Sequence, residues 1–463
     1  MGFKKLMNFF YLDKEIESED LKEFSGQYQF SELSIQKSSL SKILESSLDS
    51  SLNFIKIDSV QEIEIDHDEL ILWHSNMIFQ DKELHSLFLK KLLNSYFSLF
   101  YGSDESFIFK GYLDELKIKL NPSKNLMLPK EIIKLEPEEN IIVINTKWDL
   151  KKLALYKPHT RYFNKLEIKE NTVIKESINK EKIIDEFNFL KNIPEALKSY
   201  YVTVSDLKVQ ENLAQYSMNK VNGLDLSMQF INNGLSSKML RSIFDELKVY
   251  FELIRNFTGS QNESTYDFLV NKNNSRLLEL KTWNGYQQLN EFIRNHTPFS
   301  GIDSLFNSAN KLLKNSKTDL ESSKALISHG DLCFSNIIKD DDRLRLIFID
   351  PRGGKNLNYY RSPYYDLAKL CHSLLGGYDH IVNDIAEIKF NDDMIANIHF
   401  GQDMDRHNAL FKTFVESLRL NYFLVRKIEI SLFLSMLPLH TESYRKVSML
   451  ALRASELILN LEK

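Results

Sequence analysis

The stretch from Ser328 to Tyr378, SHGDLCFSNIIKDDDRLRLIFIDPRGGKNLNYYRSPYYDLAKLCHSLLGGY, constrains the fold more than any other part of the chain. His-Gly-Asp opens it, Asn336 stands five residues after Asp331, and Asp350 closes the apolar run LRLIFID fourteen residues after Asn336. IIKDDDRLRLIFID has the pattern of a β-hairpin, two apolar strands about an Asp-rich turn. Folding it brings Asn336 and Asp350 close together. Asp340, Asp341 and Asp342 are acidic enough to suggest a metal, but three acids between two strands fit the hairpin turn. YYDLAKL begins a helix, and the Asp366 carboxylate is expected to cap or brace the preceding loop.

Magnesium takes oxygen ligands and keeps several waters, so one Asp and one Asn suffice where phosphates supply the remainder. Phosphoryl transfer needs little else: an acceptor hydroxyl held in line, and charge stabilised as the bond breaks. The stretch holds that inventory. Asp331 would orient the hydroxyl and take its proton, while Asn336 and Asp350 would hold the metal. His329 reads as a brace whose imidazole bonds backbone, rather than as a catalyst. Arg352 either touches phosphate or acceptor, or pairs with a surface acid. Cys333 has no evident activating partner and reads as a small buried residue.

Lys175 lies in the strand-like NTVIKES, and Glu186 follows eleven residues later (186 − 175) in the helical KIIDEFNFLKNI, which Pro194 helps to end. A strand Lys and a Glu on the next helix can form the ion pair that anchors a nucleotide's α- and β-phosphates. A strand Lys alone can equally be a solvated edge residue. LAQYSMNKVNGLDL offers a strand and then a turn at Gly223; in a kinase this would be the hinge between lobes, where the backbone from Met218 to Lys220 meets the adenine, and the alternative is an ordinary strand and turn. Residues 236–256 and GIDSLFNSANKLLKNS have helical periodicity, as do the C-terminal segments. Residues 258–300 are polar and read as an irregular segment that helps to shape the acceptor pocket.

The first 150 residues read as a separate mixed α/β domain. The patch in MGFKKLMNFFYLDKEIE is too brief for a signal-peptide core, and Leu6 stands where a myristoylation signal wants Ser or Thr. SELSIQKSSLSKILESSLDSSL could form a short edge helix. Strand-like segments begin at Leu52 (NFIKIDS, EIEID, ELILWHSNMIF). A helix is expected over DKELHSLFLKKLLNSYFSLF, a strand over FIFKGYLDELKIKL, and a strand running into a helix over NIIVINTKWDLKKL. Asp66-His67-Asp68 reads as a charged turn, because adjacent ligands on a strand point to opposite faces.

Composition adds exclusions. A chain of 463 residues holds two or three domains. Its formal net charge of −5 makes no electrostatic case for nucleic acid. Two cysteines, Cys333 and Cys371, cannot build a disulfide framework, which suggests a reducing cytoplasm. No apolar run approaches the roughly 20 residues that cross a bilayer, so no transmembrane segment is expected.

HGDLCFSN, FIDPRGG and YYDLAKL together resemble the aminoglycoside phosphotransferase and choline kinase family over roughly residues 150–463. The longer form, RYFN ahead of the Lys175 strand and IDPRGG…YYDLAKLCHSLLGGYD, is similar to phosphotransferase-like proteins of bacterial capsule and surface-polysaccharide gene clusters. The resemblance implies an α+β, two-lobed protein-kinase-like fold with an additional N-terminal α/β domain. Residues 1–150 would be that domain, 151–225 the first lobe and 226–463 a helical second lobe. Some such proteins resemble fusions to a sugar-nucleotidyltransferase-like domain, which would fit residues 1–150; the glycine-rich loop of those enzymes is missing here, so that domain is expected to have lost catalysis. The family also implies ATP and Mg²⁺, Asp331 as base, Asn336 and Asp350 as metal ligands, Lys175 and Glu186 as the phosphate anchor, and a sugar, polyol or amino alcohol as hydroxyl acceptor. A catalytically silent scaffold is the alternative, and the intact Asp331, Asn336 and Asp350 argue against it. PHTRYFNKLEIKEN contains no glycine, so phosphate cover falls to other backbone or to Thr160, Arg161 and Asn164. An aminoglycoside acceptor would need an acidic cleft, and nothing in the sequence places one.

Overall fold

The computed structural model describes residues 164–462 except 170, 233, 262, 355–358, 384 and 401–402. Before them it describes 7–17, 21–22, 27, 29–35, 38–45, 48, 52–63, 69–79, 88–89, 92–93, 99–102, 106–112, 116, 133–135, 141–144 and 149. The chain divides into two units, Met1–Pro158 with Asn232–Gly234, and His159–Ile231 with Leu235–Lys463. Among the described residues no helix is long and apolar enough to cross a membrane.

The first unit is built on a six-stranded mixed sheet of β1 (Met7–Leu12), β2 (Leu52–Ile57), β3 (Glu69–His74), β4 (Leu99–Gly102), β5 (Phe107–Tyr112) and β6 (Ile133–Leu135), in the order β2-β1-β3-β5-β4-β6. β1 pairs in parallel with both β2 and β3. Its Phe9 and Tyr11 join Trp73 in one core cluster, and Phe10 and Leu12 join Leu70 and Leu72 in another. A strand buried on both faces shows no polar alternation. MNFFYL therefore has no strand signature in sequence, and the first strand is β1 at Met7 rather than the one expected from Leu52. The helix expected through Phe100 is interrupted earlier: Leu99–Gly102 is a strand hydrogen-bonded to β5. Asp66, His67 and Asp68 lie outside the described residues.

The second unit opens on a four-stranded antiparallel sheet, β7 (Asn164–Ile168), β8 (Thr172–Ser177), β9 (Val204–Val209) and β10 (Ala214–Asn219), in the order β7-β8-β10-β9. Helix α1 (Lys180–Asn192) follows β8; Asn179 caps it by accepting from the Lys182 N–H. It buries Ile183, Glu186, Phe189 and Leu190. Gly223 stands in β11 (Gly223–Asp225) and not in a turn. This strand pairs with the first arm of the hairpin β12 (Ile337–Asp340) and β13 (Arg345–Phe348). The approach requires glycine, because a Cβ at Gly223 would lie 2.0 Å from the Lys339 carbonyl oxygen.

Most of the rest of the unit is helical, with α2 (Ser237–Ile254), α3 (Thr265–Lys281), α4 (Tyr286–His296), α5 (Ile302–Lys314), α6 (Pro363–Leu374), α7 (Tyr422–Met436) and α8 (Tyr444–Glu462), beside two short antiparallel strand pairs, Leu326–Ile327 with Tyr360–Arg361 and Glu387–Phe390 with Ala396–His399. Helices α3, α5, α6 and α8 all pack on α7, most of whose side chains are buried. The segment 258–300, expected to be irregular, thus contains two helices. In α3 only Thr265, Leu269, Asn273 and Leu280 are buried, two of them polar. Asn273 is satisfied there by hydrogen bonds with Asn310 and Ser431. A helix that buries amides has a weak apolar stripe, so its period is hard to read.

Candidate active site

Lys175 projects from β8 and is buried. Its Nζ lies 2.7 Å from Glu186 Oε2 on α1 and 2.7 Å from Asp350 Oδ1. Tyr216, opposite Lys175 in the sheet, donates its hydroxyl to Glu186 Oε2 at 3.3 Å. Lys182, one turn before Glu186, reaches Oε1 at 3.2 Å. Burial disfavours charge on Lys175, but Asp350, Tyr216 and Glu186 outweigh it and hold the ammonium well above its usual range. Burial likewise pushes the Asp350 carboxyl up, and Lys175 overrides this, so it stays ionised.

Backbone bonds stitch two loops to that pair. The hairpin register places Ile337 opposite Phe348, and the Ile349 N–H donates to the Asn336 carbonyl at 3.0 Å. The Arg352 N–H donates to the His329 carbonyl at 2.8 Å. His329 is buried, with Nε2 2.9 Å from the Ile349 carbonyl and Nδ1 3.2 Å from the Asp331 N–H. One nitrogen therefore donates and the other accepts, which fixes a neutral tautomer. Burial pushes its pKa down to about 4. Tyr201 stacks on the imidazole with ring centroids 6.0 Å apart. Asp366, buried at the start of α6, accepts from the His329 and Gly330 N–H groups at 2.9 and 2.8 Å. Gly330 has φ +76° and a Cβ there would meet Arg352 Cβ at 2.8 Å, so the loop needs glycine at this point.

Asp331, Asn336 and Asp350 are thereby gathered. The Asn336 amide nitrogen donates to the Asp331 carbonyl at 2.8 Å, which leaves its oxygen for another partner. Asp350 adopts φ +55°, a left-handed conformation that Asp tolerates, and keeps a third of its side chain exposed. Among the described residues no group of three or more His, Cys, Asp or Glu could hold a metal. One amide oxygen and one carboxylate fit a hard divalent ion only where a ligand's phosphates and water complete the shell.

Asp331 is surrounded by cations. Lys369 Nζ lies 2.8 Å from Oδ1 and Arg352 Nε 3.4 Å from Oδ2. Burial pushes its carboxyl up, but Lys369 and Arg352 outweigh burial and hold it well below the usual carboxylate range. Nothing in the sequence singles out Lys369. It stands three residues after Asp366 on a helix whose described side chains are all buried, and that burial is not visible from YYDLAKL. Cys333 is buried, and burial pushes its thiol up to about 12, far from a reactive thiolate.

Arg161 and Thr160 lie outside the described residues, and Asn164 begins β7. Met218 is buried within β10 and paired on both sides, with Val173 and Val204. The N–H groups of Asn219 and Lys220 already donate to the carbonyls of Thr203 and Asn171, each at 3.0 Å. An adenine taking those donors would displace existing bonds.

No family model matches the chain, and no curated protein sequence does. Among solved structures it is similar to aminoglycoside phosphotransferase APH(4)-Ia in an apo form, with a TM-score of 0.43, 12% identity, and 65% of this chain and 93% of that chain covered. It is also similar to glucosamine kinase in complex with glucosamine, ADP and inorganic phosphate, with a TM-score of 0.39, 10% identity, and 65% and 76% covered. Likeness of this degree adds no weight to the geometry.

Proposed function

We propose that the second unit is a two-lobed, protein-kinase-like small-molecule kinase that transfers the γ-phosphoryl group of ATP to an alcohol. The observation that supports this best is the joining of Lys175–Glu186 to Asp350, and of Asp350's hairpin to the loop of Asp331 and Asn336. Asn336 and Asp350 would hold Mg²⁺, which neutralises phosphate charge when bound. Lys175, already ionised and aimed between two carboxylates, would hold the α- and β-phosphates, and Glu186 would fix its position. Asp331, ionised at neutral pH, would accept a hydrogen bond from the acceptor hydroxyl and take its proton as the P–O bond forms. His329 and Asp366 would act through backbone, holding the Asp331 loop. A cytoplasmic role in surface-polysaccharide assembly, with residues 1–150 as a partner domain, belongs to the same proposal and rests on the sequence resemblance.

A panel of alcohols screened for ATP consumption by the full chain, in wild type and Asp331→Asn, tests this reading. Turnover should fall by about 10²–10⁴-fold in the variant, while stabilisation by Mg·ATP persists. Unchanged turnover would remove Asp331 from the chemistry. Absence of any Mg·ATP-dependent rise in Tm would remove the kinase reading itself.

A further inference from the structure

The acceptor is not named by the catalytic loop, but the charge around it narrows the class. Helix α3 carries Lys272, whose Nζ lies 2.9 Å from the Tyr365 hydroxyl and 5.4 Å from the centre of its ring. Tyr365 and Lys369 are one turn apart on α6. Lys369 in turn holds Asp331 at 2.8 Å, and Arg352 approaches from the other side. Burial pushes the Lys272 pKa below its usual range and Lys369 and Arg352 add to this, so an anion bound there would restore the ammonium. Among the described residues Lys272 has no carboxylate partner. Lys369 and Arg352 thus share one carboxylate, Asp331, while Lys272 beside them is held by a phenol and not by an acid. Burial pushes the Tyr365 phenol up, yet Lys272 and Lys369 override this and bring it down to about 8. A partly buried ammonium without a carboxylate partner, as at Lys272, is costly, and a ligand that supplies negative charge recovers that cost.

We propose that the acceptor is an acidic alcohol, one whose hydroxyl meets Asp331 while its own carboxylate or phosphate is held by Lys272 and Lys369 beside Tyr365. This rests on the kinase reading of the same site. It excludes the cationic alcohols, choline-like or aminoglycoside, that the family resemblance brings to mind, since these would enter a field of their own sign. Lys272 comes from the polar segment before the catalytic loop, so the specificity determinant lies apart from the Lys175 phosphate anchor.

The test uses the full chain with Mg·ATP and three sets of acceptors. One set carries carboxylates (D-glycerate, D-glucuronate), one carries phosphates (glycerol 3-phosphate, glucose 1-phosphate), and one is neutral or cationic (glucose, ribitol, choline). kcat/KM should be about tenfold or more higher in one of the acidic sets, and which set wins separates carboxylate from phosphate. Lys272→Met should raise KM for that acceptor about ten- to hundredfold, with KM for ATP within about twofold, and Lys272→Arg should restore part of it. A neutral or cationic acceptor preferred by the wild type overturns the proposal and leaves the kinase reading standing. A Lys272→Met effect on KM for ATP instead assigns the cations to the nucleotide and overturns it too. Should no acceptor turn over, binding decides: D-glycerate or inorganic phosphate, added to Mg·ADP-loaded protein at constant ionic strength, should raise the Tm of wild type more than that of Lys272→Met. Equal shifts overturn the proposal. Failure of Mg·ADP to bind at all is the separate failure of the kinase reading.

Discussion

The two ends of the site differ in how their charges are balanced. Around Lys175 the charges balance: Lys175 and Lys182 face Glu186 and Asp350. Around Asp331 they do not: Lys369 and Arg352 share that one carboxylate, and Lys272 nearby is paired with the Tyr365 hydroxyl. A balanced cluster is held ready without a ligand, since each charge already has its partner. An unbalanced one is completed by what binds. In the proposed kinase, the balanced end would be the pre-set phosphate anchor and the other end would be completed by the acceptor.

Unbalancing the first end should have the largest effect. Lys175→Met leaves Glu186 and Asp350 facing each other without the ammonium between them. Stability should fall by about 2–3 kcal/mol in chemical denaturation, less than for a fully buried pair because Asp350 is partly exposed. Mg·ATP should no longer raise Tm. The double variant Lys175→Met with Glu186→Leu should recover stability but not nucleotide binding. If the single variant is as stable as wild type, Lys175 does not offset the charges of Glu186 and Asp350.

Reducing the second end should have a smaller and pH-dependent effect. Asp331 is ionised in the fold well below the usual carboxylate range, so its contribution to stability is present at neutral pH and is lost only as pH falls through the depressed pKa. Lys369→Met removes the nearest cation, and the carboxyl pKa should rise. The acid limb of kcat/KM should then move up by about one pH unit or more, with kcat reduced about tenfold or more. An unmoved limb would show that Arg352 alone holds Asp331.

The hairpin and the helices that position these residues are legible in local sequence. The hairpin between Asn336 and Asp350 follows from two apolar runs about an acidic turn, and Asp340 Oδ1 does accept the Asp342 N–H in that turn at 3.0 Å. Helix α2 follows from its periodicity and its Ser236 cap. What escaped was written in burial and long-range pairing. β1 is buried on both faces and so lacks alternation. α3 buries Asn273 where an apolar residue would have revealed its period. Lys369 and Lys272 look like solvated lysines in sequence, and only tertiary packing brings the one to Asp331 and the other to Tyr365. The backbone donors of Asn219 and Lys220 illustrate the same limit, because their carbonyl partners at Thr203 and Asn171 are set by sheet register.

The smallest expected effect concerns the brace between the two ends. His329 accepts from the Asp331 N–H and faces the Ile349 carbonyl, next to Asp350, so one ring couples both loops. In the unfolded chain a histidine titrates near 6.5, and in the fold burial pushes this one down to about 4. Between those values the unfolded state binds more protons, so stability should fall as pH drops from roughly 6.5 toward about 4. His380 and His407, pushed by burial to about 3 and about 4, add losses of the same sign, so the overall acid sensitivity alone does not isolate His329. The difference between wild type and His329→Gln does. Glutamine can still donate to Ile349 but does not titrate, and it should cost about 1–2 kcal/mol at pH 7. That gap should shrink as pH falls toward 4, because only the wild type pays for a neutral imidazole there. A gap that is constant with pH, measured by urea denaturation in chelator, would mean that His329 braces the loops by packing against Tyr201 and not through its two nitrogens.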